Sequence, residues 1–443
     1  MSRFNRRRFL ARSSMLTALG WSASGWFPAL AEQVAAQARE RRHCILLWMN
    51  GGPSQTDTFD MKPGHANGGE FKEIETSAPG LRFSEHLPGL AKHGQNIAVV
   101  RSLSTKEGDH GRGTYLMRTG HQPRGPVPYP AIGSSLSKQL GSPTDSFPNY
   151  VSIAPFQAVS PEAFGPGFLG PQFAPLTVAS YNRFRAGRQD DADFADLRVD
   201  DLQAPKDLDA GAIRARLDLW EALQADFLDS KGRPPAPIAQ HTVYQRALQM
   251  MNSAASRAFD LSEEDASVRD SYGRGQFGQG CLMARRLVEQ GIAFVEVSLG
   301  SLGASSWDTH QGNFPTVKTL SGELDKGWSM LMTDLKQRGL LETTTILWMG
   351  EFGRTPNINP SAGRDHYPAA WSCVFAGGGI RGGQAFGKTS DDGMTVADGK
   401  VDVGDVLATL AQALGVPADT ENITPLGRPI KIAEGKPIQG ILA

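Results

Sequence analysis

The chain has 443 residues, of which 40% are hydrophobic and 21% charged, with a formal net charge of −1. Such a chain can bury a large core, and it is too apolar and too evenly charged for a disordered one. No basic patch points to nucleic acid, and three widely spaced cysteines, Cys44, Cys281 and Cys373, make no disulfide framework.

Residues 1–31 read as an export address. Arg6-Arg7-Arg8-Phe9-Leu10 is a twin-arginine pattern, followed by a weakly apolar stretch from Met15 to Leu30 and a cleavage pattern, Ala29-Leu30-Ala31. The stretch is short and interrupted by Ser, Thr, Gly and Pro, so no stable membrane anchor is expected. The partner implied is the twin-arginine export machinery, which carries folded cargo, and the expected location is periplasmic or secreted. Removing this segment, with its five arginines and no acid, takes the formal charge to −6.

Cys44–Met49 is a nearly continuous apolar run of the kind found in parallel sheets. It ends in Asn50-Gly51-Gly52-Pro53-Ser54-Gln55-Thr56-Asp57. The two glycines permit close approach of the backbone to a ligand, and Asn50, Ser54 and Asp57 supply polar side chains at a strand end. Asn96–Arg101 is a second strand. Beyond it Asp109-His110 precedes a short helical piece closed by Thr119-Gly120, which puts His110 at a helix N-terminus, where anions are favoured.

Pro130–Leu140 reads as a helix and Asn149–Ile153 as a strand. Residues 156–290 are expected to form a mainly helical insertion or cap, with amphipathic helices over Ala210–Asp229 and Pro237–Phe259. His241 within it reads as structural. Gln276–Gln290 is a helix and Ile292–Val297 a strand, whose downstream loop carries Trp307-Asp308-Thr309-His310. Residues two apart in an extended segment point the same way, so Asp308 and His310 can present a carboxylate and an imidazole to one ion. Phe314–Arg338 is a long helix. It leads to Thr343–Met349, a short run rich in β-branched residues that reads as a buried strand. Ionisable groups begin at once after Gly350: Glu351, Arg354, Arg364, Asp365 and His366. A second apolar run, then the glycine run Ala376-Gly377-Gly378-Gly379, and a helix from Asp402 to Leu414 complete the pattern.

Strands alternating with helices predict an α/β layered fold with a largely parallel sheet. The unusual polar groups all follow strands, or lie in the loop between two. In open α/β sheets, sites form beyond the carboxyl ends of the strands, so these loops are expected to converge on one mouth. Mixed oxygen and nitrogen donors suit a divalent cation, or two. The candidate ligands are Asn50, Asp57, Asp308, His310, Glu351, Asp365 and His366, with zinc, manganese, magnesium and calcium all open. Arg354 or Arg364 is expected to clamp an anionic group through a bidentate fork.

Five stretches in order resemble the bacterial family called domain of unknown function 1501: Asn50–Asp60, Trp307–His310, Gly350–Pro356, Gly363–His366 and Ala376–Gly379. The resemblance covers 42–443. That family is similar to the alkaline phosphatase and sulfatase superfamily, which implies an alkaline-phosphatase-like domain and metal-dependent ester hydrolysis. By position, Asn50 stands where the superfamily usually has a metal-binding Asp. Asp308 and His310 stand near an Asp and His ligand pair, and His366 near a late His ligand. Glu351 takes the place of an Asp ligand, and Phe352 replaces the His beside it.

The sulfatase nucleophile lies in Cys-x-Pro-x-Arg shortly before a Thr-Gly. Here His110 occupies that position, and none of the three cysteines lies in such a motif, so a cysteine-type sulfatase is not expected. An imidazole of ordinary pKa is largely neutral near pH 7 and can act as nucleophile or base. Two classes stay open. One is a periplasmic metal-dependent hydrolase of a phosphate, phosphonate or sulfate ester. The other is a non-catalytic metal- or glycan-binding protein on the same scaffold. The partner is accordingly an anionic ester substrate or a cell-envelope glycan.

Overall fold

A computed structural model describes residues 41–142, 147–180, 194–200, 202, 210–230, 254–300 and 306–443. The export segment, His241 and most of the expected 237–259 helix lie outside the described residues. Strand β1, His43–Met49, is buried along its whole length. Ile45, Leu47 and Met49 belong to one hydrophobic cluster, while Cys44, Leu46 and Trp48 belong to another. Successive side chains of a strand point to opposite faces, so a strand apolar at every position must be covered on both.

The remaining strands of the main sheet are β2 (Ile97–Leu103), β3 (Tyr150–Ile153), β4 (Leu176–Ser180), β5 (Leu197–Arg198), β6 (Phe294–Leu299), β7 (Thr344–Gly350), β8 (Trp371–Gly377) and β9 (Gln384–Phe386). Their spatial order is β9-β2-β8-β7-β1-β6-β3-β4-β5. Neighbours pair in parallel except where β8 lies between β2 and β7, and at β4–β5. Helices α3 (Gln276–Glu289) and α4 (Asn313–Gln337) contribute Leu282, Leu287, Leu324, Trp328 and Leu331 to one cluster. Helices α1 (His110–Thr119), α2 (Ile132–Leu140) and α5 (Val403–Ala413) contribute Met117, Leu136, Leu407 and Leu410 to the other. The result is the expected layered α/β fold, a largely parallel sheet between helices.

One sequence expectation changes. The stretch 156–290 is mixed among the described residues: β4 and β5 extend the main sheet, and α3 packs directly on it, while Ala210–Ser230 is a separate helix. The glycine run after β8 belongs to the far edge of the sheet, because β8 runs against its neighbours. A Cβ on Gly378 would lie 2.4 Å from the Glu342 carbonyl oxygen, so this close packing requires glycine. The three cysteines are free and buried, as expected of small hydrophobes. No helix among the described residues is long and apolar enough to cross a membrane.

Candidate metal centre

The reversal of β8 is what builds the site. The chain leaves the carboxyl end of β7 at Gly350 and re-enters the sheet at Trp371 on the same edge. Everything between, including Glu351 and His366, therefore stays at the mouth shared with the ends of β1, β2 and β6. Within that segment Arg354 pairs with His366 in a short antiparallel ladder. Gly51, at the end of β1, has φ +106, and a Cβ there would lie 2.5 Å from the Asp308 amide. Gly52 packs equally tightly on Phe352. The glycines thus admit neighbouring loops of the protein, where the sequence suggested close approach of a ligand. The Asn50 carbonyl accepts hydrogen bonds from Trp307 N–H (3.1 Å) and the Ser306 hydroxyl (3.3 Å), which hang the Asp308 loop on β1.

His110 opens α1. Asp109 is exposed and caps the helix by accepting a hydrogen bond from Arg112 N–H at 3.0 Å, so it does not orient the imidazole. Further along α1, buried Arg118 donates to Glu296 on β6 at 2.9 and 2.5 Å, and Tyr150 donates to the same carboxylate at 2.8 Å. This buried pair fixes α1 on the sheet and so sets the place of His110.

Three imidazoles gather around Asp308. His310 Nε2 and His366 Nε2 each lie 3.2 Å from Asp308 Oδ1 and 3.0 Å from one another. His110 Nε2 lies 3.3 Å from Asp308 Oδ2. Ligand atoms of His110, Asp308 and His366 all fall within 4.8 Å of one another. Tetrahedral ligands about 2.0–2.1 Å from an ion sit roughly 3.3 Å apart, so the spacing fits one.

Each imidazole is held from behind. His110 Nδ1 lies 2.7 Å from Glu351 Oε1, His310 Nδ1 lies 2.6 Å from Asp365 Oδ1, and His366 Nδ1 lies 2.7 Å from the Gly108 carbonyl. Partners that are acceptors place the ring proton on Nδ1 and leave Nε2 with its lone pair toward the cluster. Two such Nε2 atoms at 3.0 Å repel unless a proton or a cation lies between them. Buried His110 Nε2 has no hydrogen-bond partner, its 3.3 Å approach to Asp308 being poorly aligned, and Glu351 Oε2 has none either. Buried donors and acceptors are rarely left so. Orphaned nitrogen and preset tautomers both fit a bound metal.

Burial alone would lower the His110 pKa, but contacts with Asp308 and Glu351 outweigh it and push it up to about 9. Without metal, this imidazole is therefore charged near pH 7, and the neutral nucleophile expected from its sequence position is not what these surroundings favour. Burial would raise the Asp308 pKa, but His110, His366 and Arg354 hold it far below the usual carboxylate range. Asp365 is also lowered, chiefly by its hydrogen bond with His310.

Several residues expected at the site have other partners. Asp57 and Arg364 are both fully buried and paired, Nε to Oδ2 at 2.7 Å and Nη2 to Oδ1 at 3.0 Å, and Asn313 donates to the same carboxylate at 2.8 Å. Arg364 also donates to the carbonyls of Thr355, Pro356 and Asn67. The pair ties loops together, as neither a ligand nor an anion clamp. Arg354 donates to Asp308 Oδ1 at 2.5 Å and to the carbonyls of Gly51, Gly52 and Arg364. Every nitrogen of its guanidinium is engaged, so it holds Asp308 where a substrate clamp was expected. Glu351 and Asp365 stand behind imidazoles, and the Asn50 amide donates to the Gly300 carbonyl at 2.9 Å.

Sequence reasoning missed the Gly108 carbonyl and Asn359, whose amide donates to the His310 carbonyl at 2.9 Å. The first leaves no side-chain signal. The Asn-x-x-x-Gly turn preceding Arg364-Asp365-His366 was a usable cue for the second.

The layered, largely parallel sheet, with its polar cluster at the carboxyl ends of the strands, defines an α/β protein. The chain belongs to the family described as Protein of unknown function (DUF1501), which matches residues 41–442. No curated protein matches it in sequence. It is similar to the PsFucS1 sulfatase from Pseudoalteromonas sp., at 14% identity and TM-score 0.41, covering 87% of this chain and 70% of that one. It is also similar to the lipoteichoic acid synthase LtaP from Listeria monocytogenes, at 10% and 0.41, covering 90% and 76%. A phosphonate monoester hydrolase, SpPMH from Silicibacter pomeroyi, gives 10% and 0.39, covering 90% and 76%.

Proposed function

We propose that this protein is an exported, metal-dependent hydrolase of a phosphate, phosphonate or sulfate ester. The observation that carries the reading is the set of three imidazoles, each with Nδ1 against an acceptor and Nε2 turned toward Asp308. His110, His366 and Asp308 would hold the ion, and His310, with its Nε2 3.0 Å from that of His366, would complete the set. Glu351, Asp365 and the Gly108 carbonyl orient the rings, and Arg354 fixes the Asp308 carboxylate. The chemistry such an ion supplies is a lowered water pKa and polarisation of an ester oxygen. His310 and Asp365 are the most exposed members of the group, at 47% and 51%, so an anionic ester or a cell-envelope glycan approaches from their side.

One observation favours a second reading, a non-catalytic metal- or glycan-binding protein. Arg354 and Arg364 have every guanidinium nitrogen bonded within the protein, so neither offers an edge to an anion. The deciding experiment uses purified protein, stripped by a chelator and then reloaded with divalent metal. It is assayed on chromogenic phosphate, phosphonate and sulfate esters. Hydrolysis of at least one class should vanish on stripping and return on reloading. Bound metal without turnover of any ester would put the binding protein ahead.

A further inference from the structure

We propose that the centre takes one nitrogen-preferring ion of the zinc class, and that calcium and magnesium are poor occupants. The proposal rests on reading the cluster as a metal centre, and it adds the number and chemical class of the ion.

The donor set points to the class. Three imidazoles converge on Asp308 with their Nδ1 atoms committed behind them, and two of these, His110 and His366, lie with Asp308 close enough together to share one ion. Among the carboxylates around it, Asp308 alone has both oxygens within 3.3 Å of imidazole nitrogens. Asp365 Oδ1 is committed to His310. Glu351 Oε1 accepts from Gly51 N–H at 2.9 Å and faces His110 Nδ1 at 2.7 Å. Asn50, which carries an amide oxygen, has its amide nitrogen tied to Gly300. Even with the unpartnered Oε2 of Glu351 counted, these oxygens fall short of the roughly six to eight that calcium takes, and magnesium also asks for oxygen. Imidazole suits zinc and other late divalent metals of its row.

Arg354 points to the number. It is fully buried and held by three backbone carbonyls, so it cannot swing away, and its Nη2 sits 2.5 Å from Asp308 Oδ1. The same oxygen is shared by His310 and His366. One divalent ion at the imidazoles already gives Asp308 two positive neighbours. A second would crowd three positive groups onto one carboxylate. Apolar Phe352 closes the cluster on another side, its ring centroid 5.0 Å from that of His110 and 4.5 Å from that of His366. Arg354 therefore serves as a permanent second cation.

The test measures binding, independent of any turnover. Chelator-stripped full-length protein is titrated calorimetrically with zinc, manganese, calcium and magnesium separately, and the bound metal is counted by elemental mass spectrometry. We expect one zinc ion per chain, bound at least ~100-fold more tightly than calcium or magnesium. His310→Gln and His366→Gln, each checked for an unchanged fold by circular dichroism, should weaken zinc by at least ~10-fold, the scale seen when metal-site residues are altered. Tighter binding of calcium or magnesium, or two ions per chain, would overturn this proposal and leave the metal-centre reading standing. Failure of the wild type to bind any of the four ions would overturn both.

Discussion

At the scale of single residues, His110 carries a measurable signature. Its pKa in the metal-free protein is raised to about 9 by Asp308 and Glu351, against the burial that would lower it. An unfolded histidine titrates near ~6.5. Between those values the folded chain keeps a proton that the unfolded chain has lost. The stabilisation is thus complete below about pH 6.5, shrinks as pH rises toward 9, and is gone above it. Ion and proton compete for Nε2, so metal affinity should rise over the same window. The check is an NMR titration of His110 in chelator-stripped protein. The midpoint should lie well above 6.5, and Glu351→Gln, which removes one of the two carboxylate charges, should lower it. A wild-type midpoint at the ordinary histidine value would show that the carboxylates do not hold the proton.

At the scale of elements, charged residues divide into those that face the cluster and those that join loops. Asp57 and Arg364 join the segment after β1 to the one before β8, through a bidentate pair with no exposure on either side. Removing one partner of such a pair leaves the other charge buried alone, at a cost of about 3–5 kcal/mol. Asp57→Ala should therefore lower the unfolding free energy read from denaturant melts by that order, while the folded fraction still binds metal with wild-type stoichiometry. Loss of metal at unchanged stability would instead restore Asp57 as a ligand. The same division explains Arg118 and Glu296, which seat α1 on the sheet and thereby carry His110 to the end of β2.

At the scale of the whole molecule, location and chemistry belong together. If the protein is exported with its ion in place, as proposed, it would need an export route for folded cargo, and Arg6 and Arg7 are the expected signal for that route. Replacing both with Lys should trap the precursor in the cytoplasm, seen as loss of the trimmed form from a periplasmic extract. Undiminished periplasmic product would exclude this route. The layered sheet serves the same end, since strand ends from β1, β2, β6 and β7 deliver side chains far apart in sequence to one edge.

Much of this was present in the residues alone. Apolar runs at 44–49 and 343–349 marked central strands because a strand covered on both faces has no polar side to show. Asp308 and His310, two apart after a strand, were expected to point the same way, and the structure sets His310 Nε2 3.2 Å from Asp308 Oδ1. The role of each charge was different in kind. Asp57, Glu351, Arg354 and Arg364 look alike as strand-end ionisable groups. Which one faces the cluster and which one is neutralised depends on partners such as Asp57 and Arg364, separated by 307 residues. A charge acts through whatever opposite charge lies within a few ångströms of it, and that neighbour is set by strand direction and loop closure. The antiparallel course of β8 brought His366 to the mouth and sent Gly377–Gly379 to the far edge. An apolar run carries no mark of the direction in which it will pair, so that choice belonged to the tertiary structure.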